Sequence, residues 1–190
     1  MKIFRGFEDV APLTRPVIAV GSFDGVHRGH CQILRYLCEA AAERGGQSVV
    51  VTFAPHPQVV LNPNSDFFTI NTLDRNLELI AEQNVDVAVV LPFTKSFAQT
   101  SYLEFVEQYL IGRLHAKALV MGPNHALGHN REGDRFKIET VCQQHHVEVV
   151  DIPEFMLHDA QVHSSTIRKL IQNRHFDAVD DMLGYHYEIK

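Results

Sequence analysis

Short β-branched apolar runs alternate along this chain with longer stretches of helical period, and that alternation restricts the fold more than any other feature. A strand buried on both faces reads as a nearly continuous apolar run, and a helix must follow it to return the chain for a parallel neighbour. The first such run is Val17–Val20, ended by Gly21. Residues 31–44 then carry Ile33, Leu34, Leu37, Ala40 and Ala41 at helical spacing, and Gly45-Gly46 stops them. Further strands are predicted at 49–53, 85–91, 118–121 and 147–152, and helices at 72–83, 101–114, 134–145, 164–173 and 176–183. The expectation is an α/β fold, a Rossmann-like open doubly wound parallel sheet of about five strands, with all 190 residues in a single domain.

Two stretches break the alternation. Residues 54–71 contain Pro55, Pro57, Pro63 and adjacent Phe67 and Phe68, and 122–133 are rich in Gly and Asn; irregular segments of this length tend to carry function.

Composition narrows the partners. Seventeen Lys and Arg against 23 Asp and Glu leave a net charge of −6, so no general basic field holds nucleic acid or an anionic membrane. A phosphate ligand has to be met locally. No apolar run approaches the roughly 20 residues of a membrane span, and residues 1–8 lack the apolar core of a signal peptide, so a cytoplasmic location is expected. The odd count of three cysteines, without metal-ligand spacing, reads as free thiols.

In open α/β sheets ligands bind beyond the carboxyl ends of strands. After the run at 17–20 comes Gly21-Ser22-Phe23-Asp24-Gly25-Val26-His27-Arg28-Gly29-His30, leading straight into a helix. Its glycines permit tight turns and close approach of a ligand, and two imidazoles lie beside the positive end of a helix. His27 and His30 suit phosphate oxygens and the charge that builds as an α-phosphorus is attacked, with no protein nucleophile needed. Two nearby histidines leave two zinc positions unfilled, so no metal ligand is nominated. After the strand at 147–152, His163-Ser164-Ser165-Thr166-Ile167-Arg168 reads as a second anion site, with Ser164 or Ser165 as N-cap and Arg168 placed to clamp a β or γ phosphate.

GSFDGVHRGH, Thr52-Phe53-Ala54-Pro55-His56-Pro57, Gly122-Pro123-Asn124, SSTIR and Leu183-Gly184-Tyr185 occur in this order. Together they resemble the FAD synthetase (FMN adenylyltransferase) module of bacterial bifunctional riboflavin kinase/FAD synthetases, over most of the chain. The resemblance implies adenylyl transfer from ATP, with Mg2+, to FMN, giving FAD and pyrophosphate. It implies that His27, His30, Asn124 and Arg168 are catalytic, and that Gly21, Phe23, Asp24, Gly29, Ser164, Ser165 and Thr166 bind ATP and its phosphates. Pro55, His56 and Pro57 would form the flavin-side loop, with Asp24 also a candidate brace for its own turn. A separate riboflavin kinase is an expected partner.

The chain departs from the family pattern in two places. Asn76 stands beside Arg75 where many members place a lysine, and Ala126 and Leu127 fall in a turn that commonly carries an aromatic and a basic residue. Each missing charge-assisted bond is expected to weaken an anionic substrate by about 1–3 kcal/mol. Nucleotidyl transfer to another phosphate-bearing acceptor and a flavin- or nucleotide-binding module with little turnover are the alternative readings.

Overall fold

Val17–Val20 (β2) has no exposed residue, and its alternate side chains explain the architecture. Ile18 and Val20 point into one apolar layer and Val17 and Ala19 into another, because successive side chains leave a strand on opposite faces. In the computed structural model, which describes residues 1–122, 126–157 and 160–188, β2 is a central strand of a six-stranded parallel sheet of order β1-β4-β3-β2-β5-β6. The other strands are Lys2–Arg5 (β1), Ser48–Ala54 (β3), Val87–Pro92 (β4), Ala118–Met121 (β5) and Glu148–Asp151 (β6).

The first layer packs Ile18, Val49, Val51, Val89, Leu119 and Met121 against Phe105, Val106, Leu110 and Leu114, with Ile138 and Val141 of a later helix. The second packs Val17, Ala19, Val50 and Val120 against Leu34 and Leu37 of α1 (Arg28–Glu43) and Leu79 and Ile80 of α3 (Leu73–Glu82). Leu34 and Leu37 are fully buried, and each contributes about 1.5–3 kcal/mol by leaving water.

The chain runs from β2 outward through β3 to β4, then returns to the other side of β2 as β5. That reversal opens a crevice beyond the carboxyl ends of β2 and β5, the switch point at which doubly wound sheets bind ligands.

The structure corrects several expectations. The sheet has six strands, not about five: Lys-Ile-Phe-Arg joins β4 as an edge strand whose Ile3 is half exposed, too short and charged to show as an apolar run. α1 begins at Arg28 rather than Cys31, which makes His27 its N-cap. The helix predicted over 101–114 is one α-turn, Tyr102–Glu104 (α4), followed by a π-helix, Phe105–Arg113, whose wider turn suits burial at Val106, Leu110 and Leu114. A short helix, Pro57–Leu61 (α2), lies within the irregular segment 54–71. Beyond α5 (Arg135–Gln144), a hairpin of Met156–Leu157 (β7) and Ala160–Gln161 (β8) precedes α6 (Ser164–Gln172) and α7 (Phe176–Leu183). Ile167, Val179 and Leu183 pack with Ile70 and Val162, which seats α6 against the segment before α3, and Ser164 at its start reaches the loop after β2.

Candidate active site

The loop after β2 doubles back in very few residues. Phe23, Gly25 and Val26 all take positive φ, at 47°, 81° and 33°, and the Val26 N–H closes the turn on the Phe23 carbonyl at 3.1 Å. Left-handed backbone at a non-glycine residue costs on the order of 1–3 kcal/mol and persists only where the surroundings impose it. Here they do: Phe23 and Val26 are buried in the α1 layer, and other segments hold the turn from outside.

Those holds come one residue after another. The Thr52 hydroxyl donates to the Ser22 carbonyl at 3.2 Å, and the Ser164 hydroxyl donates to the Asp24 carbonyl at 3.0 Å. The Asp24 carboxylate, 1% exposed, accepts the Ile70 N–H at 3.0 Å and the Asn71 N–H at 3.3 Å and pairs with Arg168 Nη2 at 2.6 Å. Gly25 gives its N–H to Asn76 Oδ1 at 3.0 Å, and its carbonyl accepts the Tyr185 hydroxyl at 2.6 Å. An added Cβ at Gly25 would meet the Ile70 side chain at 3.0 Å.

The turn delivers two stacked imidazoles. The His27 and His30 rings lie 3.7 Å apart, 15° from parallel. His27 Nδ1 accepts the His30 backbone N–H at 3.2 Å, which caps α1 and places the proton of the neutral ring on Nε2. Gly29 makes room for this, since a Cβ there would touch the His27 ring at 3.2 Å. Burial is the main force lowering the His27 pKa to about 3, with nearby His163 and Arg168 acting in the same direction. Burial likewise drives His30 well below the ordinary imidazole value, helped by His27. Both rings are therefore neutral at pH 7. His30 Nδ1 is buried with no hydrogen-bond partner among the described residues, an unfilled polar atom at the mouth of a helix N-terminus.

Arg168 sits partly buried beside them. Its Nε donates to the Phe68 carbonyl at 2.8 Å and its Nη2 to Asp24, while the guanidinium lies over the Phe67 ring at 4.3 Å. Phe67 in turn faces the His56 ring at 4.7 Å, which links the Pro55-His56-Pro57 segment to Arg168. His56 caps α2, its Nδ1 accepting the Gln58 N–H at 3.1 Å, after a cis Ala54–Pro55 bond. Burial lowers the His56 pKa.

The sequence-predicted residues Gly21, Phe23, Asp24, His27, Gly29, His30, Ser164 and Arg168 thus come together, and His56 joins them through Phe67. The N-cap of α6 is His163, not Ser164 or Ser165, because the Ser164 hydroxyl is used on the Asp24 carbonyl; Ser165 is exposed and Thr166 half-buried in the first turn. Asn124 lies outside the described residues. Asn76, one of the two expected departures from the family pattern, is buried as a brace for Gly25. Thr52 and Tyr185 lie in segments that carry the family resemblance and Asn76 at one of the departures from it, but no local spacing assigned these three, or Asn71, a role in bracing the turn. Among the described residues no group of three or more His, Cys, Asp or Glu is placed to hold a metal ion, and the Asp24 carboxylate is already committed to Arg168 and two N–H groups.

An HxGH turn opens the helix after β2 at the switch point of an open doubly wound sheet, and the Ser/Thr-to-Arg start of α6 faces it. The sequence profile of the FAD synthetase family matches residues 10–166, and the chain belongs to that family. It is 31% identical over 175 residues to the bifunctional riboflavin kinase/FMN adenylyltransferase of Listeria monocytogenes, across 92% of this chain but only 55% of that protein. The fold is shared with a macrolide-efflux protein from Streptococcus pneumoniae, at a TM-score of 0.86 and 23% identity over 97% of this chain and 60% of the other. It is shared too with pantothenate synthetase from Thermus thermophilus, at a TM-score of 0.54 and 14% identity over 97% of this chain and 82% of the other. At those identities the two structures speak for the fold alone. No helix among the described residues is long and apolar enough to cross a membrane.

Proposed function

We propose that this chain, as one cytoplasmic nucleotidyltransferase unit, moves the adenylyl group of ATP onto FMN, giving FAD and pyrophosphate. The stacked, neutral His27–His30 pair at the start of α1 carries the reading. A phosphate oxygen of FMN attacks the α-phosphorus of ATP, a new P–O bond forms, and the bond from that phosphorus to the oxygen bridging to the β-phosphate breaks. The electron pair leaves on pyrophosphate. With a second phosphate pKa near about 6, the FMN oxygen is already deprotonated at neutral pH, so position and charge stabilisation replace a general base.

His27 offers Nε2–H to phosphate oxygens, and the free N–H groups of the first turn of α1 add their dipoles. Because the pair is neutral at rest, no charge repulsion accompanies its burial, and an arriving polyphosphate raises the affinity of both rings for a proton. Arg168 keeps Nη1 uncommitted among the described residues and would direct it at the polyphosphate, while Thr166 and Ser165 line the same helix start. Asn124 is assigned to the reacting phosphates from the family pattern. Pro55, His56 and Pro57 would meet the flavin side. Mg2+ would enter with ATP, resting on substrate phosphates, because the described side chains offer no cage for it. A riboflavin kinase would supply the FMN.

The test is to incubate the purified chain with ATP, Mg2+ and FMN, with riboflavin in a parallel tube, resolving flavins by chromatography and assaying pyrophosphate. FAD from FMN, lost in His30→Ala, supports the reading. Pyrophosphate released with another phosphate-bearing acceptor, and none with FMN, overturns the acceptor assignment. FMN bound without turnover overturns catalysis.

A further inference from the structure

We propose that Tyr185, oriented by Asn71, is a positioning residue for His27, holding from outside the site the turn that aims the histidine pair. The inference rests on the adenylyl-transfer reading above. Gly25 is two residues from His27 and adopts φ of 81° between Asp24, anchored by its carboxylate, and Val26, buried in the core. Its own two polar groups are held by side chains remote in sequence, Asn76 on the N–H side and Tyr185 on the carbonyl side. Tyr185 stands 160 residues away, just past Gly184, the left-handed C-cap of α7.

The hydroxyl is the middle of a short relay. Asn71 Nδ2 donates to Tyr185 Oη at 2.7 Å, and that oxygen's single proton is then free to point at the Gly25 carbonyl, 2.6 Å away. The Asn71 backbone N–H meanwhile holds the Asp24 carboxylate, so one residue serves the turn twice. Burial pushes the Tyr185 pKa up to about 12, which keeps it a donor across the working range of pH. The ring has its own packing, in the apolar clusters behind α1 and α7 and under Arg75 at 5.8 Å, so the fold does not rely on the hydroxyl. Loss of the hydroxyl alone frees the Gly25 carbonyl and lets a turn with three positive-φ residues relax. A small displacement of the group that meets the reacting phosphate lowers the rate steeply, while ground-state binding, spread over many N–H groups, changes little.

Wild type, Tyr185→Phe, Asn71→Ala and the double variant would be compared for kcat and KM in FAD formation, for ATP affinity by calorimetry, for Tm, and for the His27 ring resonances by NMR. Tyr185→Phe is expected to lower kcat about 10- to 100-fold with KM, ATP affinity and Tm near wild type, to shift the His27 resonances, and to be no worse when combined with Asn71→Ala. A kcat close to wild type, or losses of Tm and ATP affinity that run in parallel with kcat, overturns the proposal. If the wild type makes no FAD, the adenylyl-transfer reading fails separately. The tie is then judged on the resonances: shifted in Tyr185→Phe they uphold it, unmoved they overturn it.

Discussion

The proposed phosphate side and the proposed acceptor side of the site are built differently. On the phosphate side, groups of Ser22, Asp24 and Gly25 are held by side chains of Thr52, Ser164, Arg168, Asn76 and Tyr185, drawn from β3, α3, α6 and the segment after α7. On the acceptor side, α2 has no buried residue and residues 61–66 are exposed. The bonds there are local, such as Asn62 N–H to the Gln58 carbonyl and Ser65 N–H to the Asn62 carbonyl. Phe67, between Arg168 and His56, joins the two sides. Stabilising charge that develops in a transition state requires donors fixed before the reaction, whereas recognising a flat acceptor tolerates a loop that adapts. The expected signature is that damage to the buried ion pair or to the turn backbone on the first side costs stability and kcat together, loss of the Tyr185 hydroxyl there costs kcat alone, and damage on the second side raises KM alone.

The largest effect is expected at the buried ion pair. Arg168→Met leaves the Asp24 carboxylate, 1% exposed, with only the Ile70 and Asn71 N–H groups, and is expected to cost about 3–5 kcal/mol in urea unfolding and to abolish turnover. Adding Asp24→Asn removes the stranded charge and should recover part of the stability but none of the activity. A single variant as stable as wild type would break the comparison at its strongest point. Gly25→Ala comes next: positive φ and the 3.0 Å approach of Ile70 set an expected cost of about 1–3 kcal/mol, measured the same way, with kcat falling further than KM rises.

The pH dependence of stability sharpens the same contrast. In the unfolded chain His27 takes up a proton below about 6.5, but in the folded protein burial holds its pKa to about 3. The unfolded state therefore binds more protons as pH falls through this window. Stability is full above about pH 6.5 and is lost towards pH 3, at up to about 1.4 kcal/mol per pH unit for this residue, with His30 adding in the same direction. Urea midpoints from pH 7.5 to 5 should fall accordingly, and His27→Gln should flatten the slope. An unchanged slope in that variant would mean that His27 titrates alike in the folded and unfolded states.

Much of this was legible in the sequence, and the exceptions have a common cause. The runs at 17–20 and 118–121 and the helical spacing of Leu34 and Leu37 declare a parallel sheet because burial on both faces leaves a periodic trace. HxGH was visible because a helix start needs its cap and its glycine within a few residues. β1 was not, since an edge strand with Lys2 and Arg5 at its ends needs little apolar content. The π-helix shares an apolar spacing with an α-helix over so short a stretch. The Asn76 and Tyr185 bonds to Gly25 span 51 and 160 residues, and a side chain reaching a backbone group at that distance leaves no spacing to read. The same holds for Arg168: its motif position was plain, its commitment to Asp24 was not.

His56→Ala should produce the smallest change in stability and the most selective change in function. Its ring caps a five-residue helix through one bond at 3.1 Å in a half-exposed setting, so unfolding should shift by less than about 1 kcal/mol. The ring also packs on Phe67, whose other partner is the Arg168 guanidinium, so its removal loosens the acceptor side without touching the Asp24 pair. Steady-state kinetics with each substrate varied in turn should then give a raised KM for FMN, with KM for ATP and kcat near wild type. Equal losses for both substrates would mean that Phe67 transmits the change to Arg168, and the two sides would have to be treated as one cooperative unit.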